Sequence, residues 1–218
     1  MPKRIVVPGE LVTTERKRLG ENVYLKEGNI IATVIGLVSE TDTTVSVVQL
    51  EGKYVPQEGD VVLGVVTDEK FSGYVVDIAS FYPSYISKRE ISEMIKDHSV
   101  VSVKVGRVNE VNEVELIGPR VFFGGEMFEV TPVKVPRVIG KDGSMLNVLK
   151  AGTGSTIVVG RNGRIWAKGG NIELLKEAVA KIDREAHLEN LTNRITEFLE
   201  KNKPAIADKK GEKKEVGM

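Results

Sequence analysis

Cysteine is absent from this chain of 218 residues, and histidine is scarce. Without thiols the chain cannot form disulfides, use a thiolate nucleophile or bind zinc through sulfur. The two histidines, His98 and His187, lie in polar stretches without a nearby nucleophile candidate. No Ser/His/Asp arrangement and no phosphate-binding P-loop can be assembled from the remaining residues. We therefore expect no catalytic residues, no metal site and no cofactor.

Long apolar runs are also missing. The longest, Ile30 to Val38, is interrupted by Thr33 and Gly36 and is far shorter than the roughly 20 residues that cross a membrane. We interpret it as one β-strand. The segment from Met1 to Pro8 lacks the continuous apolar stretch of a signal peptide. The sequence therefore predicts a soluble, cytoplasmic protein with no membrane partner.

The chain also lacks an excess of charge of either sign, because its 31 basic and 31 acidic side chains give a net charge of zero. The distribution is uneven, however. Within 133–168 the only acidic residue is Asp142, and the basic residues are Lys134, Arg137, Lys141, Lys150, Arg161, Arg164 and Lys168. A local basic surface can bind phosphates whatever the whole chain sums to. The alternative is an ordinary solvated face.

The pattern of apolar residues and turns divides the chain into three modules and a tail. Residues 1–55 indicate short strands rich in Val, Ile and Thr, which form an N-terminal β-module. Residues 56–125 indicate a five-stranded OB-type barrel with a short polar helix near 88–96. Residues 126–203 mix strands and helices, and 204–218 lack apolar periodicity, so a disordered tail is expected. The predicted fold class is α+β, mostly β.

The third module contains the glycine loop Gly140-Lys141-Asp142-Gly143. A strand over 128–135 precedes it, and a helix, two strands and a long helix capped by Asn171 follow. This order of elements is that of a type I KH module. Glycines let the backbone approach a nucleic acid closely, and the helix after the loop offers free N–H groups. The alternative is a plain turn between two structural helices, and Asp142 places a negative charge where a phosphate would pass.

A second glycine motif, Gly160-Arg161-Asn162-Gly163, lies between two apolar strands. Asn-Gly in that setting predicts a tight hairpin turn. Arg161 and Arg164, on either side of Asn162, are candidate contacts to RNA or to a partner protein. We interpret Trp166, on the second strand, as a core residue rather than a platform for a base.

Candidate RNA contacts follow from these patterns, because single-strand binders combine a basic groove with aromatic platforms. In the barrel we select Lys70, Tyr74, Lys104 and Arg107. In the third module we select Lys134, Arg137, Gly140, Lys141, Asp142, Gly143, Arg161 and Arg164. The barrel carries seven basic and 11 acidic residues over 56–125, so one barrel alone is expected to bind RNA weakly.

Several motifs occur in a specific order along the chain: Val7-Pro8-Gly9, the stretch 50–56, Gly59-Asp60-Val61-Val62, Val76-Asp77-Ile78, the stretch 133–145 and the stretch 157–166. In this order they resemble the KH-bearing RNA-binding cap subunit of the archaeal exosome, over about residues 1–200. The resemblance implies a non-catalytic protein, three copies of which cap a ring of RNase-PH-like subunits. The N-terminal module would dock on the ring, and the barrels would guide single-stranded RNA inward for 3′-to-5′ degradation. The Gly160-to-Gly163 turn matches the family's GxNG signature, which implies a structural or interfacial role.

The barrel departs from the pattern of RNA-binding S-one-type barrels. Where those carry two aromatics, a histidine and an arginine, this sequence has Ser72, Val75, Ser87 and Glu115. The resemblance then implies loose electrostatic guidance by several copies. Two alternatives stay open. One is a free-standing RNA-binding regulator of transcription or translation, and the other is the binding portion of a polynucleotide phosphorylase-like enzyme, in which the KH module precedes the barrel.

Overall fold

The computed structural model describes residues 4–50, 53–91, 95–111, 113–186 and 190–202. Within them the elements form three groups in chain order, each with its own cluster of buried apolar side chains. The predicted α+β, mostly β, fold class is confirmed. The predicted disordered tail lies outside the described residues. The module boundaries at residues 55 and 125 stay predictions.

The N-terminal module has seven short strands: β1 Ile5–Val6, β2 Leu11–Thr13, β3 Arg18–Leu19, β4 Val23–Lys26, β5 Asn29–Ala32, β6 Gly36–Glu40 and β7 Thr44–Gln49. One sheet has the order β1-β6-β7-β3, and the other has the order β2-β5-β4. The prediction of one strand over 30–38 was wrong, because the chain bends at 33–35 and passes from one sheet to the other. Val6, Ile30 and Val45 are buried in the cluster that both sheets share.

The second module is a closed barrel of β8 Val61–Lys70, β9 Gly73–Asp77, β10 Ser84–Ser87, β11 Val100–Val108 and β12 Val114–Phe122. The order around the barrel is β10-β12-β11-β8-β9, and β9 pairs with β10 to close it. The pair β10–β12 is parallel and the others are antiparallel, so the predicted OB-type barrel is confirmed. Of the predicted helix near 88–96, the described residues show one 3₁₀ turn, Lys88–Glu90. After β11, Asn109 closes a loop with Glu113 through hydrogen bonds of 2.7 and 2.8 Å.

The third module contains β13 Glu126–Glu129, α1 Val135–Ile139, α2 Ser144–Thr153, β14 Thr156–Val159, β15 Arg164–Lys168, α3 Ile172–Glu185 and α4 Leu191–Asn202. Its antiparallel sheet has the order β13-β15-β14, and the helices pack on the sheet through a single apolar cluster. The element order is that of the predicted type I KH module. The strand predicted over 128–135 ends at Glu129, because Pro132 opens a 3₁₀ turn that leads into α1. Asn171 caps α3 as predicted, since its side-chain oxygen accepts from the Leu174 N–H at 3.0 Å.

Candidate nucleic-acid interface

The glycine loop joins α1 to α2 through three residues with positive φ, Gly140, Asp142 and Gly143. Gly140 has φ +74°, and a β-carbon there would lie 2.6 Å from the backbone nitrogen of Met145. Asp142 has φ 52° and Gly143 has φ 78°, which is the left-handed region that aspartate tolerates better than most residues. Gly140 is therefore required by close packing, whereas Gly143 is favoured only by its conformation.

The charged side chains around this loop differ in their exposure and in whether they form ion pairs. Arg137 and Lys141 are exposed and form no ion pair with any described residue, and the same holds for Lys150 on α2. Lys134 is instead held 3.3 Å from Asp183 on α3. Asp142 is exposed beside Lys141. The loop thus presents free cations with one opposing carboxylate, and a contact with phosphate here stays a prediction.

The Gly160-to-Gly163 turn closes the β14–β15 hairpin as predicted, but it is built differently from a type I′ turn. Such a turn needs positive φ at both central residues, and here only Gly163 has it, at +86°. The Gly163 N–H donates to the Gly160 carbonyl at 3.1 Å. Asn162 is consequently free to turn its side chain away from its own hairpin and into the barrel.

The Asn162 amide lies where β8 and β9 separate. Its oxygen accepts from the Leu63 N–H at 3.2 Å, and its nitrogen donates to the carbonyls of Leu63 and Ile78 at 2.7 and 2.8 Å. The β8–β9 ladder runs from Lys70↔Gly73 only to Val65↔Asp77, so the amide occupies the place of a missing strand partner. The side chain is 2% exposed. These contacts make the turn an interface between the two modules.

The two arginines next to Asn162 have opposite environments. The Arg164 side chain is 8% exposed and lies 2.6 Å from Asp77 Oδ2 on β9 and 3.1 Å from Glu129 Oε1 on β13. Burial acts to raise the pKa of Asp77, but hydrogen bonds from Arg164 and from the Ala79 N–H outweigh it and hold that pKa below its usual value. A contact between Arg164 and RNA is not supported by this buried position. Arg161 remains exposed, and its Nε lies 4.0 Å from Asp60 Oδ1.

The barrel candidates also divide into available and unavailable side chains. Lys70, Lys104 and Arg107 are exposed, and none forms an ion pair with a described residue. Tyr74 is 3% exposed and packs inside the barrel, so its ring has no free face for a base. Selecting it as a platform is not supported by the structure.

Tyr85 on β10 is an aromatic residue of the barrel that was not selected from the sequence as a candidate RNA contact. It pairs with Val75, whereas Tyr74 pairs with Ile86, and neighbouring pairs point to opposite faces of a sheet. Tyr85 is therefore directed outward, 36% exposed, with Lys70 Nζ 5.9 Å from the centre of its ring. The alternation in Ser84-Tyr85-Ile86-Ser87 is the sequence signal that favours a strand with Tyr85 on the face opposite to Ile86.

Neither a metal-binding group nor a membrane-spanning helix occurs among the described residues. No group of three or more of their His, Asp or Glu side chains could hold a metal ion. None of the helices in the described part of the chain is long and apolar enough to cross a membrane.

Family models of known proteins match the N-terminal segment and the KH segment of the chain. Residues 3–51 match the family model of the exosome RNA binding protein RRP4 N-terminal domain, and residues 125–173 match a KH domain model. A solved structure described as an exosome complex RNA-binding protein is 32% identical, with a TM-score of 0.62, and the match covers 69% of this chain and 97% of that one.

Curated relatives extend the match over nearly the whole chain. The exosome complex component Rrp4 of Thermococcus kodakarensis is 39% identical, with 91% of this chain and 85% of the relative covered. The protein of the same name from Methanothermus fervidus is 39% identical, covering 89% and 94%. That of Methanosarcina barkeri is 38% identical, covering 100% and 92%. Identity at this level over all three modules shows that the chain belongs to the family of the exosome complex component Rrp4.

Proposed function

We propose that this chain is a non-catalytic RNA-binding subunit of an exosome, which caps a ring of RNase-PH-like subunits and guides single-stranded RNA into it for 3′-to-5′ degradation. The observation that carries the proposal is the exposed Gly140–Gly143 loop. It presents Arg137 and Lys141, free of ion pairs with described residues, beside a backbone that can approach a phosphate closely. Contacts of this kind supply affinity without reading the base sequence. The setting comes from the relatives, which are exosome components.

The barrel adds a second weak contact surface. Lys70 lies 5.9 Å from the centre of the Tyr85 ring and Arg107 lines a shallow cavity with Tyr85, which offers the outward aromatic ring that Tyr74 cannot. Stacking on such a ring is tolerant of sequence because every base has a π-face. Glu113 and Glu115 lie close to Arg107 and weaken the site. Three copies around one pore, acting on the same RNA, would compensate through their high effective concentration.

The N-terminal module supplies the docking surface in this proposal. Ile5, Leu37 and Val48 are paired across β1, β6 and β7 and therefore lie in a row on one face. Ile5 is 59% and Val48 55% exposed, although the opposite face of the same sheet is buried. We propose that this row packs on the ring subunits, in the cytoplasm, with three copies of the chain per complex.

The test is reconstitution of the full chain with the RNase-PH-like ring of the same organism. We expect the chain alone to show no nuclease activity, and the ring to bind RNA more tightly and degrade it more processively when the chain is added. The expected complex mass in native mass spectrometry corresponds to three copies. Unchanged RNA affinity and processivity would contradict the proposal.

Two variant pairs separate the RNA contact from the docking. Arg137→Glu with Lys141→Glu should lower the RNA affinity of the complex and flatten its salt dependence by about 1.4 units of slope, since each phosphate contact on a single strand contributes about 0.7. The matched control, Lys26→Glu with Arg184→Glu, should leave both unchanged. Ile5→Asp with Val48→Asp should release the chain from the ring. A chain that binds RNA tightly but never joins the ring would indicate a free-standing regulator instead.

A further inference from the structure

The two-stranded ribbon β11–β12 has a row of cations on its outer face. The paired positions are Arg107↔Glu115, Lys104↔Ile117, Ser102↔Arg120 and Val100↔Phe122. Paired residues point to the same face, and the residues between them, such as Val103 and Leu116, are buried inside the barrel. Arg107, Lys104 and Arg120 therefore share the outer surface. At about 3.3 Å per residue they are spread over roughly 15 Å of strand.

These cations are available to a ligand. Lys104, Arg107 and Arg120 are all exposed and form no ion pair with a described residue. Glu115 is the acid that shares the paired positions of this face, and it lies at the Arg107 end. The face is thus most positive from Lys104 to Arg120, toward the end of β12 that leads into the KH module.

The row ends at a linker that is held firmly against the KH sheet. Phe122 stacks on Trp166 with ring centres 4.4 Å apart, and the Trp166 indole N–H donates to the Gly124 carbonyl at 2.9 Å. Lys168 donates to the Phe123 carbonyl at the same distance. A β-carbon on Gly125 would lie 2.5 Å from the Ala167 carbonyl oxygen, so the linker could not lie so close with a larger residue there.

Within this fixed linker the ring of Phe123 remains 74% exposed. Arg120 lies 5.8 Å from the centre of the adjacent Phe122 ring, and Lys168 contacts the Phe123 backbone. A large exposed aromatic on a backbone that Lys168 holds in place, three residues after Arg120, fits the combination that single-strand binders use, with the base on the ring and the phosphates on the cations. An acidic protein partner would also pair with the cations and bury the ring, and the assay of attachment to the ring subunits distinguishes that partner from RNA.

We propose that the outer face of the β11–β12 ribbon and the linker after it form a track for single-stranded RNA, in which Lys104 and Arg120 contact phosphates and Phe123 stacks on a base. The inference rests on the proposed RNA-binding function and extends it to Arg120 and Phe123. The track runs from the barrel toward β15, and so connects the two modules that bind RNA in that proposal.

The test uses the purified full chain and a fluorescein-labelled, unstructured RNA of about 16 nucleotides, the upper site size of one OB barrel. Binding is measured by fluorescence anisotropy over a series of salt concentrations. Phe123→Ala should weaken binding by about 5- to 150-fold without changing the salt slope, because a stacked base contributes about 1–3 kcal/mol. Phe123→Tyr should bind as the unaltered chain does. Lys104→Gln with Arg120→Gln should reduce the salt slope by about 1.4.

Phe81 is a matched control, since it is 73% exposed and has Lys53 Nζ 4.2 Å from the centre of its ring. Phe81→Ala should leave RNA affinity unchanged, and an equal loss from Phe81→Ala and Phe123→Ala would overturn the proposal. If the unaltered chain binds RNA but the Phe123 and Lys104/Arg120 variants bind it equally well, the track is wrong and the proposed function stands. If these variants keep RNA affinity and lose attachment to the ring, the face is a protein interface, which also overturns the track. If the unaltered chain, alone and on the ring, binds no RNA, the proposed function itself fails.

Discussion

Asn162→Ala should destabilise the protein more than substitution of an exposed asparagine, because it removes the amide that bonds to the backbone between β8 and the end of β9. The side chain is 2% exposed and makes three hydrogen bonds to backbone groups of β8 and of the residue after β9. Each such bond contributes about 0.5–1.5 kcal/mol, and a buried group left unpaired costs about 1–3 kcal/mol. Allowing for water that enters the gap, we expect a loss of about 3 kcal/mol in the free energy of unfolding.

Asn162→Asp should be worse than Asn162→Ala, although it preserves the shape of the side chain. A carboxylate can still accept from the Leu63 N–H, but it cannot donate to the carbonyls of Leu63 and Ile78. It also places a charge in a buried position without a cation shown to contact it. The order of stability should therefore be Asn, Ala, Asp.

The assay is urea unfolding, followed by circular dichroism and by the fluorescence of Trp166, the single tryptophan of the chain. Trp166 stacks on Phe122 at the end of the barrel and so reports on both modules. Asn193→Ala, at an exposed site on α4, is the control and should change the free energy by less than about 0.5 kcal/mol. A loss below about 1 kcal/mol for Asn162→Ala, or an aspartate variant more stable than the alanine variant, would refute the reasoning.

Three further outcomes follow from the same structure. Gly140→Ala should destabilise the KH module by more than Gly143→Ala in urea unfolding, because the first β-carbon would lie 2.6 Å from the Met145 nitrogen while the second meets nothing within 4 Å; equal losses would show that only the positive φ matters. The pKa of Asp77 is held low in the folded state, so its stabilising contribution should be complete above the unfolded pKa of about 3.9 and disappear as the pH falls through the lower folded pKa. Asp77→Asn should flatten the acid limb of the stability profile measured by thermal unfolding, whereas Asp42→Asn should not. Trp166→Ala should abolish the stack with Phe122 and the bond to Gly124, and thereby cost about 3–5 kcal/mol in chemical unfolding; a cost near zero would show that the linker is held by other contacts.

The KH module could be predicted from sequence because its signals are local. A glycine loop between two short helices, an Asn-Gly hairpin and a capped helix each depend on a few neighbouring residues, and together they allow few arrangements. The register of strands depends on partners far along the chain. Tyr74 and Tyr85 are both aromatic residues of the barrel, and only the pairing of β9 with β10 decides that the first faces inward and the second outward.

The burial of the charged side chain of Arg164 also could not be predicted from the sequence. Arg164 belongs to a basic cluster in the chain, yet its partner Asp77 is 87 residues away, and nothing local indicates that pairing. The prediction of one strand over 30–38 was wrong for a related reason. Its apolar residues are consistent with one strand, but a module this small buries more surface when the chain changes sheets at 33–35.

Because the Gly160–Gly163 turn packs on the barrel, it fixes the position of the KH module relative to the cations of the barrel. Asn162 and Arg164 fix this end of the KH module to the barrel, and the Gly163 carbonyl accepts from the Val130 N–H at 2.8 Å, ten residues before Gly140. The loop and the barrel cations therefore have one relative position before RNA arrives. Contacts that are prearranged in this way lose less entropy when a strand spans them, so several individually weak sites can act together. A flexible linker would increase the entropy lost on binding. The stacking of Phe122 on Trp166, with ring centres 4.4 Å apart, is a second contact that keeps the linker between the barrel and the KH module rigid.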